Sequence, residues 1–272
     1  MSKKIAVLTL VKGRKDALLN LINGLSINAS KEIELIVVHM NEDTYDLPTA
    51  PFPIYSISFN SEEHLPLAKA RNLAISKTKA HHCIFLDVDC IPAANFIQAY
   101  ADAFKKGNKL WSGQIRYLSK GFPPELKSSE LEEWSKPDPI RGQLETIPYE
   151  LFWSLNFGCS QSLFQKIGGF DESYTGYGAE DTDFSFMARA QSVELAAVNA
   201  IAYHQPHASY SPPLNHLEDI VNNAKVFYHK WQCWPMEGWL KQFAELGYIS
   251  WNSNELEVIS YPDPSVIDNY LK

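Results

Sequence analysis

The chain has 272 residues, of which 45% are hydrophobic, 12% aromatic and only 21% charged. That balance excludes a disordered chain, and the length suits one large α/β domain or two small ones. The 24 Lys and Arg against 32 Asp and Glu leave a net charge of −8 with no basic tail or stripe, which sets aside a dedicated nucleic-acid binder.

Ile5–Val11 is an apolar run behind two lysines. It is like a signal peptide only superficially, because it stops at Lys12-Gly13-Arg14-Lys15 without a small-residue cleavage site, and it reads as a first buried strand. Leu18, Leu21, Ile22 and Leu25 then recur at helical spacing. Ile33–Val38 is a second apolar run, and Ile54–Phe59 alternates like a strand. Leu65–Lys77 reads as a helix with Pro66 in its first turn. Cys83–Leu86 is a further buried strand, followed by Asp87-Val88-Asp89 and a helix expected near Pro92. Strands alternating with helices predict a mostly parallel sheet covered on both faces.

Ser119–Pro148 carries prolines at 123, 124, 137, 139 and 148 without periodicity, the pattern of a functional loop or lid. Beyond it, Glu180–Gln191 reads as a helix with acids at its start, Val193–Tyr203 as a late strand, and Leu214–Trp231 and Met236–Leu246 as helices. The expected organisation is one continuous domain in three stretches: residues 1–118, an irregular loop or lid over 119–148, and 149–272 ending in the C-terminal helices. No apolar run approaches the roughly 18 residues of a membrane span. The four cysteines, Cys83, Cys90, Cys159 and Cys233, show no C-x-x-C spacing, so reduced thiols and a cytoplasmic location are expected.

Four constellations can carry chemistry. On an extended chain Asp87 and Asp89 face the same way, and the carboxyl end of a buried strand is where open α/β sheets bind ligands. Two hard oxygen ligands there suit Mg²⁺ or Mn²⁺ held with a phosphate, although a solvated strand-end turn explains the triplet equally. In Gly176-Tyr177-Gly178-Ala179-Glu180-Asp181-Thr182-Asp183, glycines permit close approach and three acids exceed what a helix dipole needs. One of these carboxylates beside an alcohol can serve as a general base. His204 and His207 follow a strand; a zinc site would need more ligands at suitable spacing, whereas one imidazole joining Asp89 on Mn²⁺ does not. Arg71 and Asn72 lie on a helix just before the Asp87 strand, where a guanidinium fork suits a diphosphate or nucleobase carbonyl, or merely faces solvent.

Taken in order, IAVLTLVKGR, ELIVVHMNE, LAKARNLAISKTKAHHCIFLDVDCIP, NFGCSQSLFQKIGGFDESYTGYGAEDTDFSFMAR and AYHQPH resemble the nucleotide-sugar glycosyltransferases of the GT-A fold, in inverting family 2 and its galactosyltransferase-like relatives. The resemblance runs over residues 5–207. It implies an α/β, mostly parallel, Rossmann-like sheet flanked by helices, with acceptor-side helices at the C-terminus. It further implies a metal-dependent transfer, with Mn²⁺ or Mg²⁺, of a hexose or N-acetylhexosamine from a UDP-sugar. The acceptor would be a hydroxyl of a glycan or lipid-linked molecule, in polysaccharide biosynthesis. Residue by residue, Asp89, Asp87 and His204 match the metal ligands, and Asp181 with Glu180 the catalytic acids, Asp181 being the base. Leu10, Val11, Arg71, Asp87 and Val88 fall on the donor side. The acid that reads uracil in many relatives is displaced to Glu42 or absent, and Tyr177-Gly178 stands where galactosyltransferase relatives carry a tryptophan, an aromatic platform for the acceptor.

Three rival readings have their own discriminators. A nucleotidyltransferase would want a Gly-rich first loop, and Lys12-Gly13-Arg14-Lys15 has one glycine. A retaining transferase on the same fold differs in the anomeric configuration of its product. A non-catalytic nucleotide-sugar or carbohydrate binder would show no metal-dependent release of nucleoside diphosphate. The aromatic residues Tyr228, Trp231, Trp234 and Trp239 are expected either as an acceptor surface or, more simply, as the core of a terminal helical pair.

Overall fold

Continuous burial marks the strands at the centre of the sheet. The computed structural model describes residues 4–28, 32–123, 130–142, 144 and 146–272. Strand β1 (Ile5–Val11) is buried except at Leu10, and β2 (Ile33–Met40) is buried throughout, as parallel strands covered on both faces must be. Helix α1 (Lys15–Ile27) connects them, and β3 (Ile54–Phe59), α2 (Leu67–Ser76) and β4 (His82–Leu86) follow. The helix expected near Pro92 starts later. Cys90–Pro92 forms strand β5, and α3 covers Phe96–Lys105.

The second half supplies β6 (Leu110–Leu118), β7 (Ser135–Pro137), β8 (Asn156–Ser160), α4 (Gln161–Ile167), α5 (Glu180–Ala190) and β9 (Leu195–His204). Helices α6 (Leu217–Trp231) and α7 (Glu237–Glu245), a hairpin of β10 (Ile249–Trp251) and β11 (Leu256–Val258), and α8 (Pro264–Asp268) close the chain. Among the described residues the main sheet has nine strands in the order β3-β2-β1-β4-β8-β6-β9-β5, with β7 on β6. β3, β2, β1 and β4 are parallel. Beyond β4 the sheet is mixed: β8 runs antiparallel to β4 and β6, β6 pairs parallel with β9, and β5 antiparallel with β9.

One face of the sheet is covered by Leu18, Leu21, Ile22 and Leu25 of α1 and Phe96 and Tyr100 of α3. The other takes Ala70 and Ala74 of α2, Leu163 and Phe164 of α4, and Phe184 of α5. Each fully buried Leu or Phe there contributes about 1.5–3 kcal/mol. A third cluster joins α6 and α7 through Ile220, Val221, Leu240 and Phe243. Helical spacing foresaw the α1 face, whereas no helix was expected at Gln161–Ile167. The described part of 119–148 is more ordered than its prolines suggest. Leu131 is buried against Leu118 and Tyr203, and Ser135–Pro137 pairs with β6 at the sheet margin, where a missing proline N–H is tolerated. The Asp138 carboxylate accepts the N–H groups of Ile140 and Arg141 in a buried turn. Positions 124–129, 143 and 145 of the expected lid lie outside the described residues.

Among the described residues no helix is long and apolar enough to cross a membrane. The cysteines are all free, three of them buried and Cys233 exposed.

Candidate active site

β1 and β4 are parallel neighbours, so their carboxyl ends open on one edge of the sheet, the place where a ligand can reach backbone and side chains of both. A cleft of about 150 Å³ lies there, lined by Leu10, Lys12, Arg14, Arg71, Asp87, Val88, Asp89 and Ser154 among others. Side-chain alternation along β1 sends Leu10 and Val11 to opposite faces. Leu10 reaches the cleft, whereas the Val11 side chain is fully buried in the core below α1. Val11 was expected on the donor side, and its side chain is not in the cleft wall.

Asp87-Val88-Asp89 is not extended. Cys90 N–H donates to the Asp87 carbonyl at 2.9 Å, closing a β-turn. Asp89 N–H donates to Asp87 Oδ1 at 2.9 Å, a local bond that Asp at the first turn position favours. One Asp87 oxygen is therefore turned onto its own backbone. Asp89 points away toward β9, whose last residue, His204, pairs with Cys90. Gln205 N–H donates to the Asp89 carbonyl at 2.7 Å, and its side chain bridges to Asn20 and to the Ala17 carbonyl of α1.

One ligand atom each of Asp89, His204 and His207 come within 4.8 Å of one another. The cluster contains Asp89 and His204 of the expected set and adds His207, while Asp87 lines the cleft with one oxygen given to the turn. Asp89 is buried, with Oδ2 3.3 Å from Arg14 Nη2 and 3.7 Å from His207 Nε2. Burial, then the Asp87 charge, push its carboxyl up to about 6 against the pull of Arg14 and His207. Burial also lowers His204 below the usual imidazole range, which favours the neutral, metal-ligating form. His207 Nδ1 lies 2.8 Å from the Ala208 carbonyl. A carbonyl only accepts, so Nδ1 carries a proton, and in the neutral ring Nε2 is the nitrogen with a lone pair on the Asp89 side. Two imidazoles and one carboxylate form a donor set that fits Mn²⁺ better than the oxygen-seeking Mg²⁺.

The acids at the start of α5 divide their work. Glu180 is buried and accepts Arg71 Nη1 at 2.9 Å, while the guanidinium lies 5.0 Å over Phe170. Arg71 thus borders the cleft and is simultaneously committed to Glu180. Asp183, 1% exposed, accepts Trp231 Nε1 at 2.6 Å, Lys230 Nζ at 2.9 Å and Tyr174 Oη at 3.2 Å. It ties α5 to α6 and is structural. Asp181 is left, its Oδ1 accepting Thr182 N–H at 2.7 Å and Oδ2 accepting the N–H of the cleft residue Ser154 at a long 3.4 Å. Burial, followed by repulsion from Glu180, pushes its carboxyl up to about 6 although Arg71 pulls it down. A carboxylate with that pKa beside a cleft is suited to accept a proton near neutral pH.

The loop before these acids is built on its glycines. Gly176 has φ 69°, and a Cβ there would lie 2.3 Å from Asp219 Cγ. Gly178 has φ 101°, and its Cβ would meet Met236 Sδ at 2.8 Å. Asn223 of α6 holds the loop, donating to the Thr175 and Gly178 carbonyls at 2.8 and 2.9 Å. Tyr177 stacks on His216 at 4.7 Å and on Trp239 at 5.8 Å. Glu42 accepts Gly13 N–H at 2.7 Å and the Tyr45 hydroxyl at 2.6 Å, and lies 3.6 Å from the buried His39. It fixes the loop after β1, the loop that carries Lys12 and Arg14. In sequence that loop reads as the end of an apolar run and as too poor in glycine for a Gly-rich phosphate loop. Two cations directly after a strand that ends at the ligand edge were the signal for their role.

The glycosyl transferase family 2 model matches residues 7–168, more than half of the chain. The chain belongs to glycosyl transferase family 2. A second model, the N-terminal domain of galactosyltransferase, matches residues 144–208 of this family 2 chain, the stretch that carries Asp181, His204 and His207. Among curated relatives, validoxylamine A glucosyltransferase of Streptomyces hygroscopicus subsp. jinggangensis is 25% identical over 154 residues, 47% of this chain and 36% of that one. Chondroitin synthase of Pasteurella multocida is 23% identical over 210 residues, 65% of this chain and 21% of that one. The chain thus spans about a third or less of the length of these relatives. Two of the solved structures that share the fold illustrate it. S. aureus TarS residues 1–349 matches with TM-score 0.51 at 15% identity, over 83% of this chain and 65% of that one. GalNAc-T7, solved with UDP, GalNAc and Mn²⁺, matches with TM-score 0.58 at 13% identity, over 89% and 56%. The family is one of glycosyl-transferring enzymes, and the mixed α/β sheet flanked by helices is the GT-A fold.

Proposed function

We propose that this family 2 chain is a metal-dependent, inverting glycosyltransferase that moves a hexose or N-acetylhexosamine from a UDP-sugar to a hydroxyl of a glycan or lipid-linked acceptor. The reading rests on one cleft lined both by Asp89, which clusters with His204 and His207, and by Ser154, whose N–H donates to the Asp181 carboxylate. Uridine and Mn²⁺ are favoured because GalNAc-T7, on the same fold, was solved with UDP and Mn²⁺.

Asp89, His204 and His207 would hold the ion, which when bound supplies counter-charge to the diphosphate leaving group. Lys12 and Arg14, which also line the cleft, would add fixed positive charge toward the diphosphate oxygens. The acceptor hydroxyl attacks C1 of the donor sugar, its proton passes to an Asp181 oxygen, and the C1–O bond to the diphosphate breaks. One displacement inverts the anomeric centre. Arg71 and Glu180 set the place and basicity of Asp181 without touching the reacting atoms. Tyr177 and Gly178 form the acceptor-side wall.

The test is release of UDP from UDP-glucose, UDP-galactose and their N-acetylamino counterparts, with Mn²⁺ or after chelation, and NMR of the product's anomeric proton. Release dependent on Mn²⁺ and Asp181, with an inverted product, supports the reading. A retained configuration or metal-independent release overturns it.

A further inference from the structure

A second cavity, about 350 Å³, lies on the C-terminal helices, lined by Lys225, Tyr228, Gln232, Trp234, Asn254 and Glu257 among others. It is on the far side of α6 from the site. Asn223 grips the Gly178 loop, and Lys225, two residues on, is turned about 200° around the helix axis. The groove does not share the residues of the cleft, and its size falls in the range of small-molecule sites.

Its aromatic wall is preformed. Tyr228 and Trp234 stack with ring centroids 4.0 Å apart and planes 20° from parallel. Trp234 Nε1 donates to the Asn252 and Ser253 carbonyls at 2.9 and 3.1 Å, so the indole is pinned to the loop between β10 and β11. Both rings remain partly exposed. Around them stand the amides of Gln232 and Asn254 and an ion pair, Lys225 Nζ to Glu257 Oε1 at 3.4 Å. The rim can both donate and accept hydrogen bonds, and its opposed charges already face each other.

We infer that this groove binds a short, uncharged oligosaccharide at a site separate from the cleft. The C–H face of a pyranose is complementary to the electron-rich face of a rigid aromatic ring, and its hydroxyls need a rim of mixed donors and acceptors. A nucleic acid or acidic peptide would instead want a positive rim, whereas here one lysine, Lys225, stands against Glu255 and Glu257 beside His229. The choice of a sugar rests on the proposed glycan chemistry. The groove would hold the growing or acceptor glycan at a distance from the reacting end and raise its local concentration.

The experiment titrates the whole chain with cellohexaose, maltohexaose and chitohexaose. It follows the Trp234 indole N–H by NMR, assigned with Trp234→Phe, and affinity by calorimetry. At least one sugar should shift that signal and bind at about 0.1–1 mM. It should bind equally to Asp181→Asn and in the presence of UDP with Mn²⁺, and at least about tenfold more weakly to Trp234→Ala. Because Trp234 also holds two backbone carbonyls, the exposed Asn254→Ala is the second variant, expected to weaken binding about threefold with an unchanged melting point. The inference falls if no sugar shifts the Trp234 signal, if UDP displaces the sugar, or if both folded variants bind as the wild type does. It falls equally if hexa-aspartate or hexa-lysine shifts the signal and the sugars do not. A chain that binds sugar at Trp234 without releasing UDP keeps this inference and loses the proposed transfer; the reverse result does the opposite.

Discussion

Asp181→Asn should remove most of the activity and at the same time make the protein more stable. The amide cannot accept the acceptor's proton, so transfer should fall by about 10²–10⁴, the usual worth of a general base. The stability gain follows from the pKa. Burial and Glu180 raise the Asp181 carboxyl from 3.8 to about 6, so the native state binds this proton more tightly than the unfolded chain. A raised carboxyl pKa stabilises the fold below about pH 4, and that contribution is lost as pH rises through about 6. At pH 8 the wild type therefore carries a penalty of at most about 3 kcal/mol, two pKa units at 1.36 kcal/mol each. The asparagine variant escapes it. Asparagine retains an oxygen for Thr182 N–H, but its NH₂ would face Ser154 N–H, where the present bond is 3.4 Å long, a loss of about 1 kcal/mol. The net gain is about 1–2 kcal/mol, or about 2–8 °C in melting temperature. The assay is thermal unfolding of both proteins from pH 4 to 8 beside a UDP-release assay. A variant that melts lower at pH 8, or a difference that does not shrink toward pH 4, refutes the assignment of a base destabilised in its charged form. Wild-type turnover in the variant refutes its catalytic role.

Asp89→Ala should abolish Mn²⁺-dependent binding of UDP, read by calorimetry with and without the ion; unchanged metal-dependent affinity would remove Asp89 from the cluster. His204→Ala and His207→Ala should each shift Mn²⁺ activation to higher metal concentration and narrow the preference for Mn²⁺ over Mg²⁺, whereas superimposable activation curves would return that histidine to a structural role. Arg71→Gln should leave Glu180 buried without its partner and destabilise the fold by roughly 3–5 kcal/mol. It should also move the acid limb of the rate profile above pH 6, because Arg71 lowers the Asp181 pKa; an unmoved limb in the folded variant would uncouple the two. Gly176→Ala should destabilise by more than about 1 kcal/mol in chemical unfolding, since its Cβ would collide with Asp219; a neutral effect would show that α6 yields easily there.

The sequence by itself determined what depends on neighbours along the chain. Unbroken apolar runs placed the buried strands at Ile5–Val11 and near Ile33 and Cys83, and helical spacing placed the core face of α1. Punctuation located Asp87–Asp89 at a strand's end and the acids at a helix start. Local periodicity encodes these because burial of one face is decided within a few residues. Only the tertiary structure decided how they converge. β6 and β8 are short or interrupted by Gly113 and Gly158, so little in their sequences announces that β8 enters antiparallel between β4 and β6. The β-turn over Asp87–Cys90 gives one Asp87 oxygen to the backbone, and antiparallel pairing of Cys90 with His204 brings Asp89, His204 and His207 together. Long-range packing likewise assigned Glu180 to Arg71 and Asp183 to Lys230 and Trp231, which leaves Asp181 by the cleft. Three neighbouring carboxylates look equivalent along the chain. They become different only when partners between about 50 and 110 residues away neutralise two of them, while the third, half-buried beside the cleft, has no ion pair among the described residues.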